Sequence, residues 1–433
     1  MFQVFEKYKH NVLVKNYAKV FSVDILVKLS NFILLPVYLK LMTQEAYGLY
    51  TYIIAIISVF SLAMNFGLYI SQSKLYQDYQ NEEQRGSLLY TINVMLLLFL
   101  SVCLLVTYLS EIDYKLVAFL FKNKIDYGSY RNSVFLAITV TVYSFMLFNY
   151  FLTSQSLKYV QLYNLFRLVF INGIVISLLY FYKTDSVMIR LKFTYLLELS
   201  FLFVFGPFYI KAMKRKFSKE MAKKSLMLAM PVMLSAVLGL VLNFSDKFFL
   251  EKNGNFKDIA VYNLGFVLAG IIPMMFMTFQ NIWLPHFLKE KNILINKTKT
   301  FSIILKTAVF FFFLSILIII TFKVFLVFKI IDLKYGEVLY LLPILLVTQI
   351  FTALTPLYSN YIIFFEKTFI ALFLAVPLAA MSIGLNFWLV PAYGLYGAAI
   401  SSFFVNFCYL IAYYYVATYL LKKKMASEVN LPV

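Results

Sequence analysis

The sequence predicts an all-α integral membrane protein with about 12 transmembrane helices set in two six-helix halves. Three observations carry that reading. The 433 residues are 62% hydrophobic and only 14% charged, with a mean hydropathy of +0.81; soluble domains are roughly half apolar, so lipid must be the main solvent. Apolar runs of about 20 residues, enough to cross about 30 Å of hydrocarbon at 1.5 Å per residue, follow one another with only short polar breaks. Near the midpoint, Lys211 to Lys224 holds seven Lys and Arg against one acid. Basic residues beside helix ends are retained in the cytoplasm during insertion, so this stretch sets the orientation and divides the chain.

The spans fall at 17–41, 46–70, 87–109, 133–155, 159–182 and 186–210, then at 225–250, 259–285, 301–328, 338–365, 369–390 and 395–420. This makes 1–210 the first half, 211–224 a basic cytoplasmic linker and 225–433 the second half. With both termini cytoplasmic, the inner segments hold about twice as many Lys and Arg as the outer ones. The N-terminal apolar run, Val20 to Met42, is too long for a cleaved signal core and reads as a retained first span. One outer loop, 110–132, departs from the charge rule with Lys115, Lys122, Lys124 and Arg131; its apolar stretch Leu116 to Phe121 is too short to span and is expected at the interface.

Several function classes are excluded on this showing. A net charge of +19 would suggest nucleic acid in a soluble protein, but here the basic residues sit in short loops, which points to topology and anionic head groups, not to nucleic acid. Cys103 and Cys408 lie in apolar runs, His10 and His286 stand alone, and no metal-ligand spacing occurs, so neither a disulfide framework nor a metal or cofactor is expected. No P-loop and no Ser/His/Asp set is present, and the loops are too short for an attached catalytic domain; no catalytic residue is assigned and the chain is not read as an enzyme.

Polar residues inside spans are costly in hydrocarbon, so those sharing a helical face point into the bundle or a wet lumen. Ser58, Ser61, Asn65 and Gln72 share an arc of the second span; Thr348, Thr352, Thr355 and Ser359 share one on the tenth; Ser235, Asn243 and Asp246 do so more loosely on the seventh. Helix-to-helix hydrogen bonding is the simpler role for any single hydroxyl. The charges are sharper signals. Asp24 and Lys28 are four residues apart with Asn31 on the same face, and Arg167 and Glu198 lie deep in the fifth and sixth spans. Lys28 and Arg167, with Asn31 and Asn65, are the candidate residues for an anionic head group, and Asp24 and Glu198 are the carboxylates deep enough to bind a coupling ion.

Several motifs carry a family resemblance. Glu45-Ala46-Tyr47-Gly48-Leu49-Tyr50, Ser245-Asp246-Lys247-Phe248-Phe249-Leu250, Ala260-Val261-Tyr262-Asn263, Trp283-Leu284-Pro285 and Leu389-Val390-Pro391-Ala392-Tyr393-Gly394-Leu395-Tyr396-Gly397-Ala398-Ala399 occur in that order. The set resembles Wzx-type polysaccharide (O-antigen) flippases of the MOP exporter superfamily, with Lys247 where Arg is more usual. Structural roles are expected for most of these residues: close helix approach or a tight helix entry at Gly48, Gly394 and Gly397, and a helix start or stop at Pro391. Glu45 and Asp258, each opening a span, suggest a parallel repeat.

The resemblance implies a MOP/MATE-like V-shaped bundle in the bacterial plasma (inner) membrane, working by alternating access around a central cavity. The implied substrate is a polyprenyl-pyrophosphate-linked oligosaccharide, moved outward for surface polysaccharide assembly. Partners are then this lipid-linked oligosaccharide, membrane lipids, and a polysaccharide polymerase and glycosyltransferases of the same pathway. The alternatives are another MOP exporter, namely a peptidoglycan lipid precursor flippase or a cation-coupled drug exporter, and, less favoured, a membrane polysaccharide polymerase or ligase.

Overall fold

The computed structural model describes residues 32–429 apart from 183, 291, 366 and 368, and every regular element among them is helical. Nine of the described helices are long and apolar enough to cross a membrane. Their outward faces are apolar, as lipid requires: on Leu294–Val327, Phe312, Phe313 and Leu317 are all exposed. Side-chain caps start many of them. Thr43 accepts the Ala46 amide at 3.1 Å ahead of α2 (Gln44–Met64), which follows the short α1 (Phe32–Leu41). These caps satisfy amides that hydrocarbon would otherwise strand.

The span expected at 46–70 is not continuous. α2 ends at Met64, Phe66 and Gly67 take positive φ (52° and 67°), and α3 (Leu68–Asp78) starts afresh. The reason is close packing: a Cβ on Gly67 would stand 2.5 Å from the carbonyl oxygen of Ala229, and glycine alone combines that approach with a left-handed backbone. After α3 come α4 (Glu82–Leu109), α5 (Ile112–Leu120) and α6 (Tyr127–Thr153). α5 is the apolar stretch expected at the interface. It is fastened by Asp113, which accepts two bonds from Arg131 (2.6 and 3.0 Å) and one from the Tyr127 hydroxyl (3.1 Å).

Beyond α6 the chain runs through α7 (Leu157–Phe166), a π-helical turn (Arg167–Ile171), α8 (Asn172–Phe181) and α9 (Ser186–Ala212). Asp185 caps α9, accepting the Val187 and Met188 amides at 3.0 Å and the Tyr130 hydroxyl at 2.6 Å. Residues 213–218 of the basic segment are not helical and are pinned along α4. The Lys214 amide donates to the Gly86 carbonyl at 3.0 Å, the Ser87 hydroxyl donates to the Lys216 carbonyl at 2.7 Å, and the Thr91 hydroxyl accepts the Ser218 amide at 3.1 Å.

The helices that follow are α10 (Lys219–Asn253), α11 (Phe256–Ala269), α12 (Ile271–Lys289), α13 (Ile293–Val327), α14 (Val338–Phe364) and α15 (Phe369–Val429). Asn255 and Asp258 form a reciprocal capping box at α11. An unbroken α15 of 61 residues would run about 90 Å, three times the bilayer core. Gly394, at φ 54° and ψ −126°, divides it. Pro391, expected to start or stop a helix, lies inside α15 three residues before that break. Asn386 and Ser402, on either side of Gly394, both bond to Asp246, so the two limbs fold back alongside each other. The chain packs as two compact units, Met1–Val237 and Leu238–Val433, with the boundary inside α10.

Candidate functional site

In the first unit, Arg167 opens the π-helical turn, a rare element that shifts the register of the side chains around it. Its Nη2 meets Glu198 Oε2 of α9 at 3.3 Å, and the Tyr163 hydroxyl donates to Glu198 Oε1 at 3.1 Å. The pair is asymmetric: the Arg167 side chain is 51% exposed and that of Glu198 only 3%. The carboxylate is therefore sequestered, while the guanidinium spends one N–H on it and presents the rest of its planar edge. That edge matches the oxygens of a phosphate or carboxylate two at a time. Asn172, one turn further, accepts the Tyr38 hydroxyl at 2.8 Å and donates to the Leu168 carbonyl at 3.0 Å.

The structure thus joins two of the sequence candidates, Arg167 and Glu198. Asn65 stands elsewhere, at the α2–α3 break, 1% exposed, with its side-chain oxygen accepting the Tyr69 amide at 3.4 Å. Asp24, Lys28 and Asn31 lie outside the described residues. The hydroxyl stripe on α14 is occupied locally: Thr348, Thr352, Thr355 and Ser359 each donate to a carbonyl of their own helix, at 2.8 to 3.2 Å. Ser58 does the same to Ile54 at 2.8 Å. Such bonds are how a hydroxyl is tolerated in a membrane helix, so the α14 stripe adds little free polarity; on the second-span stripe the buried Ser61 hydroxyl and the Asn65 amide nitrogen have no hydrogen-bond partner among the described residues.

The second unit holds a site that sequence reasoning passed over. Asp246, 2% exposed on α10, accepts the Tyr262 hydroxyl (2.5 Å) from α11, and the Asn386 amide (2.8 Å) and Ser402 hydroxyl (2.5 Å) from the two limbs of α15. Ser245 and Ser382 adjoin it, 3.0 Å apart, and Asn386 also donates to Ser245 at 3.1 Å. Among the described residues Asp246 has no ion-pair partner, and the buried side-chain oxygen of Asn386 has no hydrogen-bond partner. The neighbouring Lys247 turns to Asn263 instead, at 2.7 Å.

A buried carboxylate that accepts from two hydroxyls and an amide nitrogen, with the unbonded side-chain oxygen of Asn386 on the same residue that donates to it, can hold a proton or, if those donors turn away, a monovalent cation. No group of three or more His, Cys, Asp or Glu occurs among the described residues, which disfavours a divalent or transition metal there. The signal for this site was present in the Ser245-Asp246-Lys247 motif. What it lacked was any local hint of Asn386 and Ser402, which are 140 and 156 residues away.

A family model described as polysaccharide biosynthesis protein matches residues 13–291. No curated protein sequence matches the chain. Among solved structures, an inward-facing multidrug resistance MATE family transporter of the MOP superfamily is similar with a TM-score of 0.63 at 15% identity, covering 92% of this chain and 98% of that one. Lipid II flippase MurJ in an inward closed conformation gives 0.63 at 16% identity, over 91% of this chain and 87% of that one. An outward-facing MATE transporter gives 0.53 at 16%, with 93% of each chain covered. The fold is the one seen in these MATE transporters and in MurJ.

Proposed function

The chain belongs to the polysaccharide biosynthesis protein family, and on that premise we propose that it is a flippase for a polyprenyl-pyrophosphate-linked oligosaccharide. It would carry the sugar-bearing head group out across a bacterial plasma membrane by alternating access, for surface polysaccharide assembly. The observation that carries this reading is Arg167: a guanidinium within a membrane-spanning helix, half exposed, anchored by one N–H to a sequestered carboxylate and with the rest of its fork unbonded among the described residues. A pyrophosphate is an anion whose oxygens fit that edge, while its lipid tail never has to leave the bilayer. Lys28, Asn31 and Asn65 are proposed to complete the head-group path, with Asp24 pairing with Lys28 when the head group is absent. A fold shared with a lipid II flippase supports a lipid-anchored substrate, and the family and its fold neighbours favour transport over catalysis.

Driving force is assigned to the second unit. Asp246 with Tyr262, Asn386 and Ser402 is proposed as the coupling-cation site, and Glu198, already committed to Arg167 and Tyr163, to a supporting role in the head-group site. The test is complementation of a flippase-deficient strain, scoring surface polysaccharide and accumulated lipid-linked precursor with membrane protein level measured alongside. The Lys28/Arg167 double alanine variant, compared with wild type at matched membrane protein level, should fail to restore polysaccharide. Full activity of that variant removes the head-group assignment, and rescue of a different MOP exporter's deficiency in its place reassigns the substrate.

A further inference from the structure

Arg131 and Arg167 each hold a carboxylate, Asp113 and Glu198. Arg190, the fifth residue of α9, holds none among the described residues. It is seated instead in aromatic rings: its guanidinium carbon lies 3.7 Å from the ring centroid of Tyr38 and 4.0 Å from that of Tyr50, with Tyr47 at 5.9 Å. Tyr38 and Tyr47 are buried, and the Tyr38 ring is held in place by its hydroxyl bond to Asn172. Rings engage a guanidinium through its flat faces. Its five N–H groups point outward in the plane, and the one contact they make is a weak bond from Nη1 to the Met42 sulfur at 3.5 Å.

The rings fix the position of the cation and add to its attraction without neutralising it. Arg131 shows what neutralisation looks like in the same unit, since it has aromatic neighbours as well, Tyr108 at 4.0 Å and Tyr114 at 4.9 Å, and still takes two bonds to Asp113. Arg190 is also at a telling depth. It lies about 7 Å inside the start of α9 and about 30 Å along that helix from Lys211, so it is at the end of the unit opposite the basic segment. In a bilayer this is the level at which aromatic and basic side chains meet the lipid phosphates.

We propose that Arg190, with Tyr38 and Tyr50, is a binding site for a phosphate-bearing group, distinct from the Arg167–Glu198 pair. A phosphate offers two oxygens to the edge of the fork, which makes only the weak Met42 contact, while the rings hold its faces, which is the arrangement that a planar cation allows and an ammonium does not. The phosphate can come from a bilayer phospholipid or from the head group of a translocated lipid. Arg190 lies eight residues from Glu198 on α9, about 12 Å along the axis, so the second source would make it the next anion station along the same helix. Only that choice of source rests on the proposed flippase activity.

Two binding measurements on the full chain decide it. In phospholipid-free detergent, wild-type protein is titrated calorimetrically with inorganic pyrophosphate. In parallel, protein taken from nanodiscs of phosphatidylglycerol in a galactolipid background is examined by native mass spectrometry for retained phosphatidylglycerol. R190Q is expected to weaken pyrophosphate binding about tenfold or more, or to lose the retained phospholipid. The first result assigns the site to the moving head group and the second to the bilayer. R167Q measured alongside reports on the other site, so an unaffected R167Q with a defective R190Q leaves Arg190 standing even if the head-group role of Arg167 fails. If R190Q is not recovered folded, R190K takes its place and should bind about threefold more weakly, having charge but no fork. Wild-type protein that binds neither probe, or an R190Q or R190K that binds both as wild type does, overturns the proposal and leaves Arg190 as a clamp holding α9 to α1 and α2.

Discussion

The Arg167–Glu198 pair is a case in which exposure decides which partner matters more for stability. Glu198 is 3% exposed and depends on Arg167 and Tyr163 for its stabilisation, whereas the Arg167 side chain, at 51%, is not enclosed by the protein. Removing one side of a buried pair strands the other, at about 3 kcal/mol or more when the stranded group is the sequestered one. Arg167→Ala should therefore lower the thermal midpoint in detergent clearly more than Glu198→Gln does, and equal losses would show that the pair is not what holds the carboxylate. Asp246 poses the converse problem, because three donors converge on it. Asp246→Asn keeps the shape and removes the charge. A sodium- or proton-dependent rise in thermal midpoint is expected in wild-type protein and should vanish in this variant, together with transport, while abundance stays normal.

Among the elements, the breaks carry more information than the helices they interrupt. Gly67 combines φ of 67° with a carbonyl oxygen 2.5 Å from where a Cβ would be, so Gly67→Ala should cost about 2 kcal/mol or more and reduce the yield of folded protein. Gly173, inside α8, has nothing within 4 Å of its missing Cβ; Gly173→Ala should leave yield and thermal midpoint at or slightly above wild type, as alanine is the better helix former. A similar loss in both variants would mean that the α2–α3 break is not set by contact with Ala229. Gly397 belongs with Gly67, since its Cβ would fall on the carbonyl of Leu389 across the α15 break. Of the close approach or tight helix entry expected at Gly397, it is the tight entry after the Gly394 break that the contact with Leu389 describes; Gly394 itself has nothing within 4 Å of its missing Cβ.

At the scale of the whole chain, orientation follows from charge. The side chains of Lys216 (73% exposed) and Lys297 are accessible, so cysteines placed there in a background lacking Cys103 and Cys408 report topology directly. Both should resist a membrane-impermeant thiol reagent in intact cells and react after permeabilisation. Labelling from outside would invert the assignment of the basic segment and of both termini. The all-helical membrane architecture was legible because hydropathy is a property of contiguous residues, here runs of about 20 apolar residues. The second span was drawn straight through residues 66 and 67 because hydropathy does not register a left-handed backbone.

By itself, the sequence determined that this chain must live in lipid, roughly where it crosses, and through its motifs which family it belongs to, since transfer of apolar side chains and retention of basic ones act on local segments. Tertiary structure alone decided what the intramembrane polar groups do. Arg167 and Glu198, 31 residues apart, were each visible as a deep charge but not as a pair. Asp246 acquired its ring of donors only because α15 folds back at Gly394, and Arg190 became a cation set against rings, with no carboxylate partner among the described residues, only once Tyr38 and Tyr50 were packed against it. Burying a charge in hydrocarbon is tolerable only with partners, and which partners are in reach is settled by how the helices pack.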